Sequence, residues 1–464
     1  MIGKDSASAS EPRTPGQAAP GQSPSEPQHY RGLQAVRSAL EMDEVLRCPA
    51  LERRSAGAPA EAADVVMGGT LLQLWGEEHR RRRKIYAPLV SSAAIRNIEA
   101  WLGPEIDKRL RELPREDGIP RADLVKLARH ISLAIGARII GLDQMDSSER
   151  LQRLGDLSDE LVSTIKAHLE FKAPPGSSKA DAEAQRASFI ANQVAKALAA
   201  RDAFIREYYA AAREHREDLV RRHRAGQLQD ADLPRDLIAL LILNEEQLRN
   251  EASWDAELPI RECTMMLAAS DHTTSMSVCH AAADIMAWAT AHPDDQRLLQ
   301  DFAFLRSAVQ ESLRLHQITD PSPNFRTARE RVEMSTGRII ETEEKIALWY
   351  GVGGLDRHYY GDDADSFNPH RIETGRLRRP YGFAFSGGAK VCLGQVLAIG
   401  SGEAGGFRGD IPIMLHQFFK SGMQVDPNRP AVPKSHVFTN PDDETDRREI
   451  AVWESFPVIF PGLQ

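Results

Sequence analysis

The stretch from Ile260 to Thr290 constrains the fold more than any other part of the sequence. Drawn as a helix, it is apolar around most of its circumference, and a helix without a polar face must be surrounded by other elements of a large protein. The chain has 464 residues, of which 42% are hydrophobic, so it can form a sizeable core around such a helix. Amphipathic segments between residues 121 and 225, interrupted by a Pro- and Gly-rich loop at Lys172–Ser178, predict further helices. We therefore expect a mostly helical protein.

Shorter patterns predict the remaining elements. Apolar residues spaced from Leu33 to Leu46 predict an early helix, and the Ala-, Gly- and Pro-rich segment Ser55–Gly69 predicts a loop. Trp75–Lys84 places acids in a first helical turn, where the helix dipole favours them, followed by a dense cluster of basic residues. Within this cluster we expect Arg81 and Arg82 to face solvent. Small strands are predicted at Arg338–Ile340, at Ile346–Tyr350, near Val452 and at Val458–Phe460.

The beginning of the chain differs in composition from the rest. Residues 1–30 are rich in Pro, Ser and Ala and predict a disordered tail, whereas residues 31–464 contain no second linker-like stretch and predict a single domain. No apolar run in the tail has the length of a secretory signal or of a membrane anchor. We therefore expect a cytoplasmic protein without a membrane partner.

Charge and cysteine content exclude several classes of protein. The formal net charge of −9 argues against a nucleic-acid partner, since proteins that bind nucleic acids carry an excess of Lys and Arg. The cysteines form no Cys-x-x-Cys pair, so neither a zinc site nor a dense disulfide framework is indicated. Their wide spacing favours a reducing compartment. The cysteines are Cys48, Cys263, Cys279 and Cys392.

Cys392 stands in a distinctive Gly-rich context, the run Phe385-Ser-Gly-Gly-Ala-Lys-Val-Cys392-Leu-Gly394. Glycines let a backbone approach a flat cofactor closely. A thiolate near backbone N–H groups and a helix N-terminus is stabilised as an iron ligand. A buried core cysteine is the alternative interpretation, since that is the usual role of a free cysteine.

Two further motifs lie upstream of the cysteine. Glu311 and Arg314 are three residues apart on one helix face, where they can pair, and Arg371 ends the run Phe-Asn-Pro-His-Arg. An exposed ion pair is the alternative interpretation of Glu311 and Arg314 alone. In this order and at these separations, the three motifs together resemble the cytochrome P-450 family, from about Leu33 to the end of the chain. The resemblance implies that Glu311, Arg314 and Arg371 form a buried structural network behind a haem.

The resemblance also implies the fold and the cofactor. The fold would be that of a cytochrome P-450, mostly α with small β-sheets, holding haem b (iron protoporphyrin IX) with Cys392 as the metal ligand. Basic residues are implied at the haem propionates, where Lys390 replaces the more usual His or Arg but still supplies a point charge. His79 and Arg83, at positions i and i+4, share one helix face. The implied cofactor-binding residues are His79, Arg83, Arg326, Phe385, Lys390, Cys392 and Gly394.

The buried helix carries Ala268–Thr274, which resembles the oxygen-activating stretch of the family. The implied catalytic residues are Asp271, His272 and Thr273, which would form a proton route. The register is open, because His272 stands at the position of the acid in one alignment and replaces a threonine in the other, in which Asp271 is the acid. Thr273 could instead bond only to the carbonyl of Ala269 and bend the helix.

Three features depart from the family pattern. The usual first helix and first strand pair look absent or shortened, since the chain reaches the family's second helix almost at once. The usual Asn and Arg are missing from Gly353–Asp356. Gly400–Gly409 predicts a break in a normally continuous helix after the cysteine, because each interior glycine costs about 1 kcal/mol relative to Ala.

The activity implied by the resemblance is monooxygenation, in which one oxygen atom from O2 is inserted into a small organic substrate. Such a substrate could be a secondary metabolite or a lipid-like molecule, as in natural-product tailoring. The implied redox partners are a ferredoxin and an NAD(P)H-linked ferredoxin reductase. We expect the ferredoxin to approach a basic face formed by Arg80–Lys84 and Lys390, and we expect the chain to be a monomer.

Two alternatives to this activity stay open. The unusual pair of Asp271 and His272 is compatible with atypical haem-thiolate chemistry, such as peroxide-driven oxygenation, dehydration or nitration. The missing N-terminal elements and the broken helix are compatible with a non-catalytic haem-binding relative. Whichever holds, the segments implied to contact the substrate are Ser55–Leu72, Leu161–Ser188, Met265–Thr273, Gln317–Phe325 and Phe438–Asn440.

Overall fold

Helices dominate the molecule and short strands form small sheets, which confirms the predicted fold class. The computed structural model describes residues 28–30, 32–53, 60–171, 174, 176–318, 324–374, 377–402, 405–440 and 443–463. The helices are α1 (Ala39–Arg47), α2 (Ala60–Met67), α3 (Gly76–Tyr86), α4 (Ser92–Arg111), α5 (Leu124–Ile140), α6 (Ser148–Glu170), α7 (Lys179–Phe204), α8 (Ala210–Arg224), α9 (Leu237–Leu243), α10 (Glu245–Arg249), α11 (Leu258–Ala291), α12 (Phe302–Leu315), α13 (Tyr350–Gly353), α14 (Arg357–Tyr360), α15 (Gln395–Ile399) and α16 (Asp410–Lys420).

The strands are β1 (Gln28–Tyr30), β2 (Leu33–Val36), β3 (Leu51–Glu52), β4 (Arg115–Glu116), β5 (Ile119–Asp123), β6 (Asn324–Ala328), β7 (Val332–Glu333), β8 (Ile339–Ile340), β9 (Lys345–Leu348), β10 (Gln424–Val425), β11 (Val432–Asn440), β12 (Asp443–Ser455) and β13 (Pro457–Ile459). Within the described residues they form a five-stranded sheet in the order β1-β2-β9-β6-β3 and a four-stranded sheet in the order β10-β13-β5-β4. Two hairpins, β11-β12 and β7-β8, complete the strands. The strands predicted late in the chain are confirmed as β8, β9, β12 and β13.

The predicted buried helix is confirmed as α11, which is 34 residues long and packs along α5. Leu267, Val278 and Ile285 are among its buried residues. Gly136 of α5 lies against Ser270 of α11, whose hydroxyl oxygen would collide with any Cβ added at that glycine. This close approach lets the two long helices form the centre of the molecule.

A strand pair is present near the start of the described chain, so it is shortened, with strands of three and four residues, and not absent. Leu33–Val36 forms β2 rather than the start of a helix, because it pairs with β1 on one side and in parallel with β9 on the other. Gln28–Tyr30, assigned to the predicted tail, forms β1. Residues 1–27 lie outside the described residues. The first helix of the described part, α1, begins at Ala39, whose N–H donates to Oδ2 of Asp356 at 2.8 Å.

Two other boundaries differ from the prediction for local reasons. The predicted loop Ser55–Gly69 contains α2, because its alanines are good helix formers and Val66 packs in the core. Residues 54–59 lie outside the described residues. Residues 121–123, predicted as helical, end strand β5 because they pair with β13, and the carboxylate of Asp123 then caps α5.

The predicted break in the helix after the cysteine is confirmed. α15 ends at Ile399, Gly400 adopts a φ of 74°, and α16 begins only at Asp410. α15 has five residues, and a helix this short is marginal by itself. Nε of Arg306 on α12 donates to the carbonyl of Ile399 at 2.9 Å, which ties the last turn of α15 to the core.

Glu311, Arg314 and Arg371 form the buried network that the sequence predicts. Nη2 of Arg314 donates to Oε1 of Glu311 at 2.7 Å, and Nε of Arg371 donates to the same oxygen at 2.9 Å. Glu311 and Arg314 are 0% exposed and Arg371 is 7% exposed. The expected pairing is therefore confirmed, and the exposed-pair alternative is wrong.

Two cations on one carboxylate leave several guanidinium N–H groups to be satisfied, and backbone carbonyls accept from them. Nη1 of Arg314 donates to the carbonyl of Gly354 at 2.6 Å. Nη1 of Arg371 donates to the carbonyl of Tyr360 at 2.8 Å and to Oδ1 of Asp363 at 2.7 Å. The network therefore holds the irregular segment 354–371 in place, in addition to neutralising its own charges.

We predict that Glu311→Gln lowers the free energy of unfolding by about 3–5 kcal/mol, because it removes the charge shared by two buried guanidinium groups. Urea titration followed by circular dichroism measures this change. Glu77→Gln is the matched control, since Glu77 also pairs with an arginine three residues away, Arg80, but the two side chains are 60% and 68% exposed. We expect less than about 1 kcal/mol there. Equally small losses in both variants would contradict the role assigned to the network.

Candidate functional site

Cys392 ends a tight loop whose shape depends on a glycine. The N–H of Cys392 donates to the carbonyl of Phe385 at 2.9 Å, which closes the loop. Gly388 has a φ of 59° and lies against the carbonyl of Leu46 in α1, where any Cβ would collide. Phe385 packs in the core, with its ring edge-on to Tyr381. The predicted Gly-rich approach is thus needed for the contact between the loop and α1.

The thiol of Cys392 keeps one accessible face, although protein atoms surround it on its other sides. This burial raises the pKa of the Cys392 thiol, whereas backbone N–H groups of Gly394 and Gln395 and the charge of Arg83 act to lower it. Groups that favour the thiolate are those that a metal-bound sulfur requires, since a coordinating thiol is deprotonated. Cys392 is therefore accessible and is surrounded by hydrogen-bond donors that favour the thiolate form needed to bind a metal.

Helix α3 turns two of the predicted haem-binding residues toward this loop. His79 is buried, and Nη1 of Arg83, one turn later, donates to the carbonyl of Val391 at 2.7 Å. Burial and the positive charges of Lys390 and Arg83 lower the pKa of His79 to about 4. The i, i+4 spacing thus places both side chains on the inner face of α3, as predicted.

Lys390 is held from the opposite side by the loop that follows α2. Three backbone carbonyls in residues 71–74 accept hydrogen bonds from Nζ of Lys390 at 3.1, 3.0 and 2.7 Å. Burial and the charges of Arg53, Arg326 and Arg83 lower the pKa of Lys390 to about 7. Its ammonium group therefore lies among other cations and points away from bulk water.

Two arginines from the five-stranded sheet complete this group. Arg326 on β6 is buried, and its guanidinium carbon lies 5.9 Å from the centroid of the Trp75 ring, which Nζ of Lys390 also approaches at 6.0 Å. Arg53 follows β3, and burial together with the charge of Arg326 lowers its pKa. Sequence reasoning missed Arg53, because it belongs to no motif and its position depends on the pairing of β3 with β6.

Among the described residues, no carboxylate forms a salt bridge with any of these five basic residues, which we call the cation cluster. The arginines and Lys390 supply its positive charge, since His79 with a pKa of about 4 is neutral near pH 7. The charge of Glu262 acts to raise the pKa of Lys390, but this carboxylate already forms a salt bridge with Arg82. Haem carries two propionates, so it would supply two negative charges beside Cys392, whose open sulfur could bind the iron. The residues present therefore fit the implied haem. The cation cluster consists of Arg53, His79, Arg83, Arg326 and Lys390.

One face of α11 is accessible midway along the helix, between buried residues that precede and follow it. Ala269 is exposed, and Met265, His272, Thr273 and Met276 are partly exposed. Their spacing of three to four residues places them on one side of the helix. We call this side the accessible face of α11. It lies in the stretch predicted to activate oxygen.

Asp271 points away from the accessible face. It is 0% exposed, and the guanidinium group of Arg129 on α5 donates to it at 2.9, 3.1 and 3.3 Å. Arg129 also donates to Asp159 on α6 at 2.7 and 2.9 Å. Nε2 of His272 lies 3.0 Å from Oδ1 of Asp159. The two candidates thus differ in environment, with His272 on the accessible face and Asp271 in a buried ion pair, although Nε2 of His272 also lies 3.7 Å from Oδ2 of Asp271.

Thr273 makes the contact that was the alternative to a catalytic role. Its Oγ1 donates to the carbonyl of Ala269 at 2.6 Å, within the helix. The lone pairs of that hydroxyl still allow it to accept a hydrogen bond from water. The catalytic roles of Asp271, His272 and Thr273 and their register in the family pattern stay predictions.

The basic face of α3 is smaller than predicted. Arg82 is 0% exposed and forms salt bridges with Glu251 and Glu262, so its expected exposure is wrong. It lies three residues after His79 and turns with it toward the interior, where the two carboxylates neutralise it. Lys390, bound by carbonyls, does not extend this surface. The exposed basic residues of α3 are Arg80, Arg81 and Lys84.

The segments implied to contact a substrate are described only in part. Residues 54–59, 172–173, 175 and 319–323, and the side chains of residues 60–63, 165–170 and 436–440, lie outside the described set. Met265–Thr273 contributes to the accessible face of α11. In the described part of the chain, no helix combines the length and the apolar character needed to cross a membrane.

Known proteins resemble this chain at several levels. Nocardicin C N-oxygenase of Nocardia uniformis subsp. tsuyamanensis is 24% identical over 355 residues, covering 75% of this chain and 73% of that protein. Cytochrome P450 52-M1 of Starmerella bombicola is 33% identical over 111 residues, and the match spans 20% of that protein's length. Among solved structures, CalO2 has a TM-score of 0.62 at 20% identity, with 94% of each chain covered. P450BioI in complex with hexadec-9Z-enoic acid ligated acyl carrier protein also has a TM-score of 0.62, at 16% identity.

The sequence profile described as Cytochrome P450 matches residues 42–401. This match spans most of the chain and includes α3, α11, the Glu311 network and the Cys392 loop. The solved structures support the same fold over nearly the whole chain. The chain belongs to the cytochrome P450 family.

Proposed function

We propose that this chain is a haem-thiolate monooxygenase that inserts one oxygen atom from O2 into a small organic molecule. The observation that carries the proposal is the exposed Cys392, with its two backbone N–H donors, beside a cation cluster whose members form no salt bridge with a carboxylate in the described part of the chain. Haem b, once bound there, supplies the redox chemistry and the activation of oxygen. The protein supplies binding, orientation and the transfer of protons.

The residues around Cys392 tune the charge on its sulfur. The N–H groups of Gly394 and Gln395 and the guanidinium group of Arg83 favour the thiolate, and hydrogen bonds of this kind adjust how strongly a sulfur ligand donates electrons. Arg83 also holds the loop through the carbonyl of Val391. We therefore assign Arg83 two tasks, which are to position the ligand loop and to bind a propionate.

The accessible face of α11 provides the surface on which oxygen and substrate would meet. The side chain of Ala269 ends at Cβ and would leave room for oxygen or substrate. Met265 and Met276 provide an apolar surface suited to an organic substrate. The hydroxyl of Thr273 donates to Ala269 and can accept from a water molecule, so it can hold that water at the accessible face.

For the substrate class, we propose a natural product or lipid-like molecule of small size. A related protein, 24% identical over 75% of this chain, is named as an N-oxygenase of nocardicin C. This relationship supports oxygenation of a small metabolite without identifying the substrate.

Electrons are proposed to come from a ferredoxin and an NAD(P)H-linked reductase, with the reaction taking place in the cytoplasm. The exposed residues Arg80, Arg81 and Lys84 form a basic surface on the helix that also carries Arg83, on a chain whose net charge is −9. A small acidic iron-sulfur protein suits such a surface, because opposite charges steer association.

A second candidate function is peroxide-driven chemistry, which the position of His272 favours. An imidazole on the accessible face can accept and return a proton near an oxidant, as a carboxylate would. Oxidation of a phenol probe by the holoprotein with hydrogen peroxide alone, faster than with ferredoxin and NAD(P)H, would select this function. A haem-bound protein that is inactive both with hydrogen peroxide and with O2 plus ferredoxin and NAD(P)H would select the non-catalytic alternative.

We predict that Cys392→Ser abolishes the red-shifted Soret band of the reduced, carbon-monoxide-bound protein, because a serine oxygen cannot replace the thiolate. Absorption spectra of the purified holoprotein measure this. The matched controls are Cys48→Ser, Cys263→Ala and Cys279→Ala, which should each keep the band. Persistence of the band in Cys392→Ser, or its loss in one of the controls alone, would contradict the assignment of the iron ligand.

We predict that the double variant Arg81→Glu/Lys84→Glu slows association with an acidic ferredoxin by about tenfold at low ionic strength, because it reverses the charge that steers the encounter. Stopped-flow reduction at increasing salt measures the effect, which should fade as salt screens the charges. The control is Arg186→Glu/Lys196→Glu, an equal charge change at exposed positions of α7. If both double variants slowed association equally, the ferredoxin would not approach the basic surface of α3 in particular.

A further inference from the structure

His272 shares a close contact with a carboxylate from another helix. Its Nε2 lies 3.0 Å from Oδ1 of Asp159 on α6, and the side chain of Asp159 is 47% exposed, whereas that of His272 is 35% exposed. Asp159 lies on an exposed side of α6 that also carries Gln152 and Asp156. The pair therefore extends from water at the surface of α6 to the accessible face of α11.

Arg129 organises the charges around this pair. It donates to Asp159 and to Asp271, and so neutralises the buried carboxylate while holding the exposed one in place. A further titratable group near this cluster is His130 on α5, whose Nε2 contacts Oε1 of Gln152 at 3.1 Å. Asp271 also faces His272, with its Oδ2 3.7 Å from Nε2, but this distance is longer than a hydrogen bond, and the carboxylate is already bonded three times by Arg129.

We propose that Asp159 is the positioning residue of a dyad in which His272 delivers protons from the α6 surface to the accessible face of α11. The proposal rests on the monooxygenase function and adds a residue from outside α11 to it. Sequence reasoning could not find Asp159, because it lies in no motif and is more than one hundred residues from His272 in the chain.

The chemistry follows from the donor and acceptor properties of the two groups. Burial by itself raises the pKa of Asp159, but hydrogen bonds from His272 and Arg129 lower it to about 2, so the carboxylate stays ionised at any working pH. An ionised carboxylate only accepts, so Nε2 of His272 carries the hydrogen and Nδ1 has the lone pair.

Proton transfer then needs no change at Asp159. Nδ1 of His272 takes a proton from a hydronium ion of the solvent that reaches the pair from the α6 surface, which leaves neutral water, and the adjacent carboxylate stabilises the imidazolium that forms. The ring then gives that proton to a water molecule held by Oγ1 of Thr273 and returns to its neutral form. One proton enters and one leaves, and no oxidant or reductant is involved.

The test compares Asp159→Asn, Asp159→Glu and His272→Ala with Asp156→Asn. Asp156 is the matched control, because it lies one turn earlier on the same side of α6 and bonds Gln152 at 2.8 Å instead of His272. The first measurement is the infrared C–O stretch of the reduced holoprotein with carbon monoxide as the probe, which responds to polar groups near the ligand. The second is the fraction of consumed O2 recovered as hydrogen peroxide under ferredoxin reduction.

We expect Asp159→Asn and His272→Ala to shift the C–O stretch in the same direction. Both should also slow the part of O2 consumption that yields no hydrogen peroxide by about tenfold, which is the lower end of the loss seen when a metal-binding histidine loses its carboxylate partner. Asp159→Glu should restore both values, and Asp156→Asn should match the wild type. The double variant Asp159→Asn/His272→Ala should be no worse than His272→Ala, because the two residues act as a unit.

Wild-type values for both measurements in Asp159→Asn would overturn the dyad. A shifted stretch with an unchanged peroxide fraction would also overturn it, because Asp159 would then be only a structural contact. The monooxygenase proposal fails in a different way, through the absence of a thiolate-type band in the wild-type spectrum. The two failures can therefore be told apart on the same preparation.

Discussion

The excess of positive charge beside Cys392 is the constraint on which the site depends. The charged members of the cation cluster come from α3, from β6 and the end of β3 in the five-stranded sheet and from the Cys392 loop, so charge repulsion opposes the packing of these elements. A bound haem would offset that effect, since its propionates would supply negative charge to these cations. A ligand that binds only the folded state stabilises it, so cofactor binding and folding would be coupled through electrostatics as well as through ligation by Cys392.

Helix α11 carries the stretch to which the family resemblance assigns oxygen activation. Its buried face is polar at Asp271, which is acceptable in the interior because Arg129 supplies both charge and hydrogen bonds. Its accessible face combines small, apolar and titratable side chains. A single helix therefore carries a buried ion pair on one side and partly exposed polar groups on the other, because successive residues point in different directions around the helix axis.

Local patterns in the sequence were sufficient to predict the features that depend on residues close together in the chain. The apolar circumference of α11, the i, i+4 spacing of His79 and Arg83, and the glycines before Cys392 each have a direct physical consequence that the structure shows. The pairing of Glu311 and Arg314 required the resemblance to a family, because the same spacing also occurs in exposed pairs such as Glu77 and Arg80.

The remaining features depend on contacts between distant segments. Leu33–Val36 fits a helical spacing but becomes a strand, since β9 offers it a partner more than three hundred residues later. Arg82 follows two exposed arginines, yet it is buried because it forms salt bridges with Glu251 and Glu262. Arg53 and Asp159 acquire their roles only through their neighbours in space. No window of sequence contains these pairs, so periodicity and propensity could not identify them.

The short helix after Cys392 has a dynamic consequence. α15 is five residues long, is bounded by glycines, and is fastened at its end by the hydrogen bond from Arg306 to Ile399. A segment with so little internal cooperativity opens locally at a low free-energy cost, well below that of global unfolding. Bound iron would anchor its N-terminal side through Cys392. The amide hydrogens of α15 should therefore exchange rapidly in the protein without cofactor and slowly in the holoprotein, which makes this helix a natural reporter of cofactor retention.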